Sequence, residues 1–365
     1  MIKIVASVRE LNQFIFFIRD LYKADPHYIF PIFYALRREL KKEILIDQHY
    51  TAILSYHYTQ LCGRLLFTYK FSEKQKRDIC YFSFFDAIDD PAVALELFAF
   101  MEADMKSKNV LYAEGTYTPY DPDTRRGILV EGFDDDPTIF TSYNAPYYGK
   151  LLEACGYHKA YDTHALSADI TSANDKKLLT LSTYFKNHFD VRVDRLDPKK
   201  LDADIADIHQ ILEYATTEIN YQQAPSIETI SQVAKKMKLF INPKLILIAR
   251  ENQTNQPIGF CLVFPDFNQI LKKTKGKIRP FVFLTQIKRI TRARGAMQYI
   301  IPKYQSSGLI GAMYRSIGDA FLEMGITDFE AGTIMEENQK SLHTFDKFGG
   351  RIVKTYRIYG KELSI

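Results

Sequence analysis

One order of strand-like and helix-like segments runs along this chain twice, and a repeat of that kind restricts the fold more than any single motif. In the first half, Phe14–Tyr22 and Ile29–Leu45 have helical apolar spacing. Tyr50–Tyr58 and Arg64–Tyr69, split by Gly63, predict a hairpin, and Ile79–Phe85 is an aromatic-rich strand. Asp89-Asp90-Pro91 supplies a capping residue and a proline for the first helical turn, and Ala94, Leu97, Phe98, Met101 and Met105 share one face of the helix it opens. Val110–Glu114 predicts a strand, Thr116–Tyr147 a loop, and Tyr148–Ala154 a short helix stopped at Gly156. The second half repeats the order: strand Asp190–Arg195, helix Pro198–Thr217, a hairpin of Leu245–Ala249 and Ile258–Phe264, and strand Met297–Ile301. Helix Gly308–Met324, strand Ile326–Ile334, helix Gln339–Phe348 and strand Arg351–Tyr359 follow. The expectation is an α/β (α+β) chain of two tandem domains, each a mixed central sheet flanked by helices. The polar stretch Ser167–Lys177 puts the join between 1–172 and 173–365.

The halves differ in charge. Phe267–Gly318 carries eleven Lys and Arg and no acid, so a chain of net charge +4 is −7 outside that stretch. Such density attracts phosphates, or an anionic membrane surface through residues 272–294; a solvated basic face with no partner is the alternative. The interleaved residues Pro280-Phe281-Val282-Phe283-Leu284, Ile287 and Ile290 are apolar and lack a base-stacking pattern, so no nucleic-acid partner is expected. Cys62, Cys80, Cys155 and Cys261 form no CxxC pair, and the eight histidines form no HxH or HxxxH pair. No metal is therefore expected. No signal peptide and no apolar window near the length of a membrane span are read. A cytoplasmic location is expected, with peripheral membrane contact as its variant.

The richest candidate site follows the strand ending at Ile300 and Ile301. Gln305, Ser306, Ser307, Gly308, Leu309, Ile310 and Gly311 form a polar turn opening an amphipathic helix. Unpaired N–H groups and the positive dipole end at such a terminus suit a pyrophosphate. An ordinary strand–turn–helix would also use glycine and serine here. Further on, Glu330 and Glu336 lie on one strand, with Asn338 placed to cap the last helix. If that strand stays extended, the two glutamates share a face.

Gln305-x-x-Gly308 after a strand, then Asn338 and Phe345-x-x-x-Gly349, resembles the acyl-CoA-binding core of GCN5-related N-acetyltransferases. More narrowly, the chain resembles the tandem-domain, bacterial ceramide-synthase-like branch of that superfamily. The resemblance rests on Phe82–Pro91, Gly127–Asp134, Tyr143–Tyr148 and Gly349–Tyr359, and covers nearly the whole length. It implies transfer of an acyl group from acetyl-CoA or a longer acyl-CoA to a small-molecule or lipid amine such as a sphingoid base. It also implies that Ile300, Ile301, the loop 305–311, Asn338 and Phe345 lie along the co-substrate.

Two positions depart from the superfamily pattern. Ile310 stands where Gly or Ala is usual, although a one-residue shift to Gly311 would restore room. Phe345 stands where many members keep a tyrosine general acid, and it cannot donate a proton. An acyl-transfer site needs a deprotonated amine and a stabilised oxyanion; Glu336 is the first candidate base, directly or through water, and Glu330 the second. A chain that keeps the fold as a non-catalytic binding protein is the competing reading. A donor of the aminoacyl-tRNA kind, used by tandem peptidoglycan-bridge enzymes, is a third, which the motifs do not favour. The first half has Asp86, Asp89 and Asp90 where the second has its loop, and these would repel a pyrophosphate. That half is expected to wall the acceptor pocket, with Tyr143, Asn144 and Tyr147 lining it and Glu131 holding the amine; core packing and solvated loop carboxylates are the alternatives.

Overall fold

Runs such as Leu65-Leu66-Phe67 and Ile246-Leu247-Ile248-Ala249 are buried at every position, as strands covered on both faces require. The computed structural model describes residues 1–365 except 74, 118–125, 171–174, 217–225, 238–240, 278 and 365. The join expected between residues 172 and 173 lies outside the described residues. The first part comprises β1 (Ile2–Ile4), α1 (Val8–Leu21), α2 (Phe33–Leu40), β2 (Thr51–His57), β3 (Gln60–Ser72) and β4 (Arg77–Ala87). It continues with α3 (Pro91–Ser107), β5 (Tyr112–Gly115), β6 (Ile128–Glu131), α4 (Tyr148–Ala154) and β7 (His158–Ser167). Then come α5 (Asp175–His188), β8 (Val191–Arg195), α6 (Leu201–Thr216), α7 (Ile227–Met237), β9 (Ile246–Glu251) and β10 (Pro257–Pro265). The last stretch is α8 (Asn268–Thr274), α9 (Pro280–Gln286), β11 (Arg292–Ile300), α10 (Leu309–Met324), β12 (Asp328–Met335), α11 (Gln339–Asp346) and β13 (Arg351–Glu362).

Local chemistry sets the helix starts. The Ser7 and Glu10 side chains cap each other's backbone N–H groups at α1. Asp90 accepts from Ala92 N at the head of α3, with Pro91 in the first turn. Strands β1, β6 and β7 and helices α5, α7, α8 and α9 lie where no element was expected. Strand β11 starts at Arg292, ahead of the expected Met297, with Arg292 half-buried and Arg294 buried.

The strands form one sheet in the order β1-β2-β3-β4-β5-β13-β7-β12-β11-β10-β9-β8, with β6 also on β13. The halves therefore exchange their last strands. β13 runs antiparallel to β5 of the first half, and β7 of the first half runs antiparallel to β12 of the second. The two exchanged strands pair with each other at the centre. Packing follows the exchange: Tyr359 and Leu363 belong to the first core, whereas Leu166, Ala168 and Ile170 belong to the second. A chain cut after Gly350 is thus expected to lose cooperative thermal unfolding in both halves, measured by circular dichroism, rather than to keep a folded first half.

Candidate functional site

Strands β11 and β12 pair in parallel only from Arg292 with Asp328 to Gly295 with Ala331. Beyond that level both continue, each held by its outer neighbour, and they diverge. A bulge in β11 falls between the partners of Leu262 and Val263, and another in β12 falls between Ala331 and Ile334. An extra residue bends a strand, so these bulges open a wedge beyond Gly295. In the first half, β4 likewise pairs with β5 only over Cys80–Phe82 before running on to Ala87.

The turn after β11 closes on itself. Gln305 donates from Nε2 to Ile300 O at 3.2 Å. The Ser307 hydroxyl donates to Tyr304 O at 2.7 Å and accepts from Leu309 N at 3.3 Å. Ile301 and Leu309 are buried, while Gln305 and Ser306 face solvent. Gly308, at φ 93°, reverses the chain into α10. A side chain on Gly311 would meet Leu181 Cβ at 2.6 Å, so α5 seats against this face of α10. The shift from Ile310 to Gly311 considered from the sequence is therefore not available: Gly311 faces a helix rather than open space. Ile310 is partly exposed.

On the other wall, Asn338 accepts from Ser341 N at 3.1 Å and caps α11. Phe345 is buried against the Tyr314 ring, centroids 6.0 Å apart. Tyr314, which sequence reasoning passed over, donates its hydroxyl to Gln298 Oε1 on β11, within the diverging stretch. The available signal was its place on the buried face of α10, where a phenol needs a polar partner.

The bulge in β12 also separates the two glutamates. One extra residue reverses the alternation, so Glu330 and Glu336 face opposite sides of the sheet, which corrects the shared face expected of an extended strand. Glu330 is buried; it accepts from Thr138 Oγ1 at 2.5 Å and from Lys354 Nζ at 2.7 Å, with Arg294 Nη1 at 3.5 Å. Lys354 also reaches Asp135 at 2.7 Å, and Arg292 joins Asp135 to buried Asp266. Burial disfavours the Asp135 charge, but Lys354 and Arg292 hold its carboxyl below the usual range. Arg292 and Arg294 thus serve a buried network between the halves and cannot face a membrane, a correction to their place in the basic segment 272–294. Glu336 lies at the outer end of β12, half-buried, accepting from Lys159 Nζ at 2.7 Å and from Asp162 N at 3.0 Å. Burial opposes its charge as well, yet these two donors hold its carboxyl below the usual range.

The first-half candidates are held by partners outside β11 and β12. Asn144 spends both ends of its amide on backbone, accepting from Leu129 N at 2.7 Å and donating to Leu129 O and Ala145 O. Tyr143 donates to Asp25, Tyr147 to Ala87 O at 2.8 Å, and Glu131 accepts from Thr355 Oγ1 at 2.8 Å. Burial, helped by Asp89 and Asp86, pushes the Tyr147 phenol up to about 12. Asp86 is buried among Arg64, Tyr22 and Tyr148, so the carboxylate expected to repel a pyrophosphate is neutralised internally. Asp90 is the α3 cap.

No protein-family model matches the chain. Among solved structures, a tandem GNAT protein from the clavulanic acid biosynthesis pathway superposes with a TM-score of 0.56 at 10% identity, over 100% of this chain and 99% of that one. This chain has the tandem GCN5-related N-acetyltransferase fold. Two sequence relatives accompany the tandem fold. Bacterial ceramide synthase of Caulobacter vibrioides is 27% identical over 78% of this chain and 75% of that protein. Protein YghO of Escherichia coli is 24% identical over 100% of this chain and 95% of that protein. Among the described residues, no helix is long and apolar enough to cross a membrane.

Proposed function

We propose that the chain is an N-acyltransferase that moves an acyl group from an acyl-CoA to an amine, with a long chain and a sphingoid-type lipid base as the favoured pair. The observation that carries this reading is the β11–β12 wedge opening beside the N-terminus of α10. Bound there, the co-substrate supplies an activated thioester and a stable thiolate leaving group. Residues 305–308 and the first N–H groups of α10 would hold its phosphates, and the edge of β11 that β12 leaves uncovered beyond Gly295, leading to Ile300 and Ile301, would orient its arm. Asn338 and Phe345 would wall its other side. Glu336, charged at neutral pH, would take the amine proton, directly or through water, as the C–N bond forms and the C–S bond breaks. Glu330 is the less favoured base because it is buried within the Thr138–Lys354 network, whereas Glu336 is only half-buried. Under the same reading, 1–172 is a copy of the domain without a co-substrate loop, and Tyr143, Tyr147 and Glu131 stand on the acceptor side.

The name of the Caulobacter relative supports the lipid pair. A non-catalytic binding protein is the second reading, favoured by Phe345 in the usual position of a tyrosine acid. Calorimetry with acetyl-CoA and palmitoyl-CoA tests both. Binding of palmitoyl-CoA well ahead of acetyl-CoA, with amide formed when a long-chain amine is added, is the expected result. No heat from either at high micromolar concentration sinks the acyltransferase reading, and binding without turnover favours the second.

A further inference from the structure

We propose that α9 docks the protein on an anionic bilayer surface. Phe281 and Leu284 stand one helical turn apart and are 79% and 76% exposed, and Ile287 continues the patch at 43%. Their exposure does not come from a helix lacking an inner face. The Phe283 ring stacks on buried Phe267 with centroids 5.7 Å apart, and Ile290 is buried just beyond. Val282 and Phe283, half-buried, thus pack the inner side of the segment against the core, and the two large side chains are held outward.

Within its own segment the surround is basic. Lys275, Lys277, Arg279, Lys288 and Arg289 are exposed, and among the described residues none of these five makes an ion pair. No acid occurs anywhere from Phe267 to Gly318. At Gly276 the segment abuts α2, whose Phe33 N donates to Gly276 O at 3.3 Å and whose Tyr34, Arg37 and Arg38 are exposed. Protruding Phe and Leu ringed by Lys and Arg match an element that sinks its apolar side chains below anionic headgroups. A second copy is disfavoured as the occupant because a twofold contact would bring two positive rims together. A protein partner is disfavoured because interfaces are depleted of lysine and here the apolar residues project rather than line a groove. The network around Arg292 and Arg294 takes no part.

The docking rests on none of the acyl-transfer steps and is tested without co-substrate. The full chain is mixed with phosphatidylcholine vesicles, with and without phosphatidylglycerol, and separated by flotation. Wild type is expected to float with the anionic vesicles and to detach as salt rises. Phe281→Ser with Leu284→Ser is expected to lower the partition coefficient about tenfold or more. Lys288→Glu with Arg289→Glu should lower it on anionic vesicles only. These side chains are exposed, so melting temperatures should stay at the wild-type value, and acyl-CoA binding by calorimetry should be unchanged. The proposal is overturned if wild type ignores both vesicles, or if the Phe281/Leu284 variant floats like wild type. Sedimentation showing self-association that this variant abolishes would overturn it too, assigning the patch to a second copy.

Discussion

Replacing Lys354 by methionine is expected to destabilise the protein by about 3–5 kcal/mol, the range for breaking a buried ion pair from one side. The Lys354 side chain is 0% exposed and its ammonium bridges Glu330 and Asp135. Asp135, with 58% of its side chain exposed, can rehydrate and still has Arg292. Glu330 cannot rehydrate: it would keep Thr138 and the more distant Arg294 and lose its close cation. Urea unfolding should therefore show a large loss for K354M and recovery of more than half of it when Glu330→Gln is added, because the second change removes the stranded charge. The pH dependence has a definite sign. Asp135 titrates lower folded than unfolded, so its contribution is present above the ordinary carboxylate value of about 3.9 and is lost as pH falls through the folded value. K354M should show a smaller acid-side loss than wild type. Thr138 and Asp135 come from the first half and Glu330, Arg292 and Arg294 from the second, so this cluster, with the exchanged strands, ties the halves together.

That cluster also marks where the sequence was unreadable. Signals contained within a few residues were legible: Pro91 behind Asp90, the Gly156 stop after Tyr148–Ala154, Gly308 at the head of α10, and Asn338 as a cap. Each is decided by backbone hydrogen bonds to immediate neighbours. Arg292 and Arg294, by contrast, look like solvated charges until Asp266 and Glu330 are brought beside them, and no local pattern carries that pairing. The strand exchange is hidden for the same reason. Alternation shows that Tyr356 and Ile358 belong to a buried strand but does not encode whether β5 or β12 receives it. The β12 bulge inverted the inference drawn from the even spacing of Glu330 and Glu336, since one inserted residue reverses a two-residue period. Gly311 was read as room for a phosphate, but it faces Leu181 of α5, a contact between distant segments that no local pattern carries.

The largest kinetic effect is expected at Glu336. Its carboxyl is held down by Lys159 and Asp162 N–H against the opposing effect of burial, so it is fully charged at neutral pH but a weak base. A weak base helps most by orienting the neutral amine, or the water that accepts its proton, at the reacting carbon. Glu336→Gln should then lower kcat/KM for amine acylation about 100-fold or more, while the Kd for acyl-CoA measured by calorimetry stays unchanged. Lys159→Met separates this from a structural role. Asp162 keeps its two bonds from Arg357, so the strand end should hold, but Glu336 loses its cation and its pKa must rise. The acid limb of kcat/KM should accordingly move to higher pH in Lys159→Met and stay in place in Lys159→Arg. If Glu336→Gln acylates within threefold of wild type, or the limb does not move, the proton passes to another group; Glu330, inside its network, would be the next residue to replace by glutamine in the Lys354→Met background, where stability has already been measured.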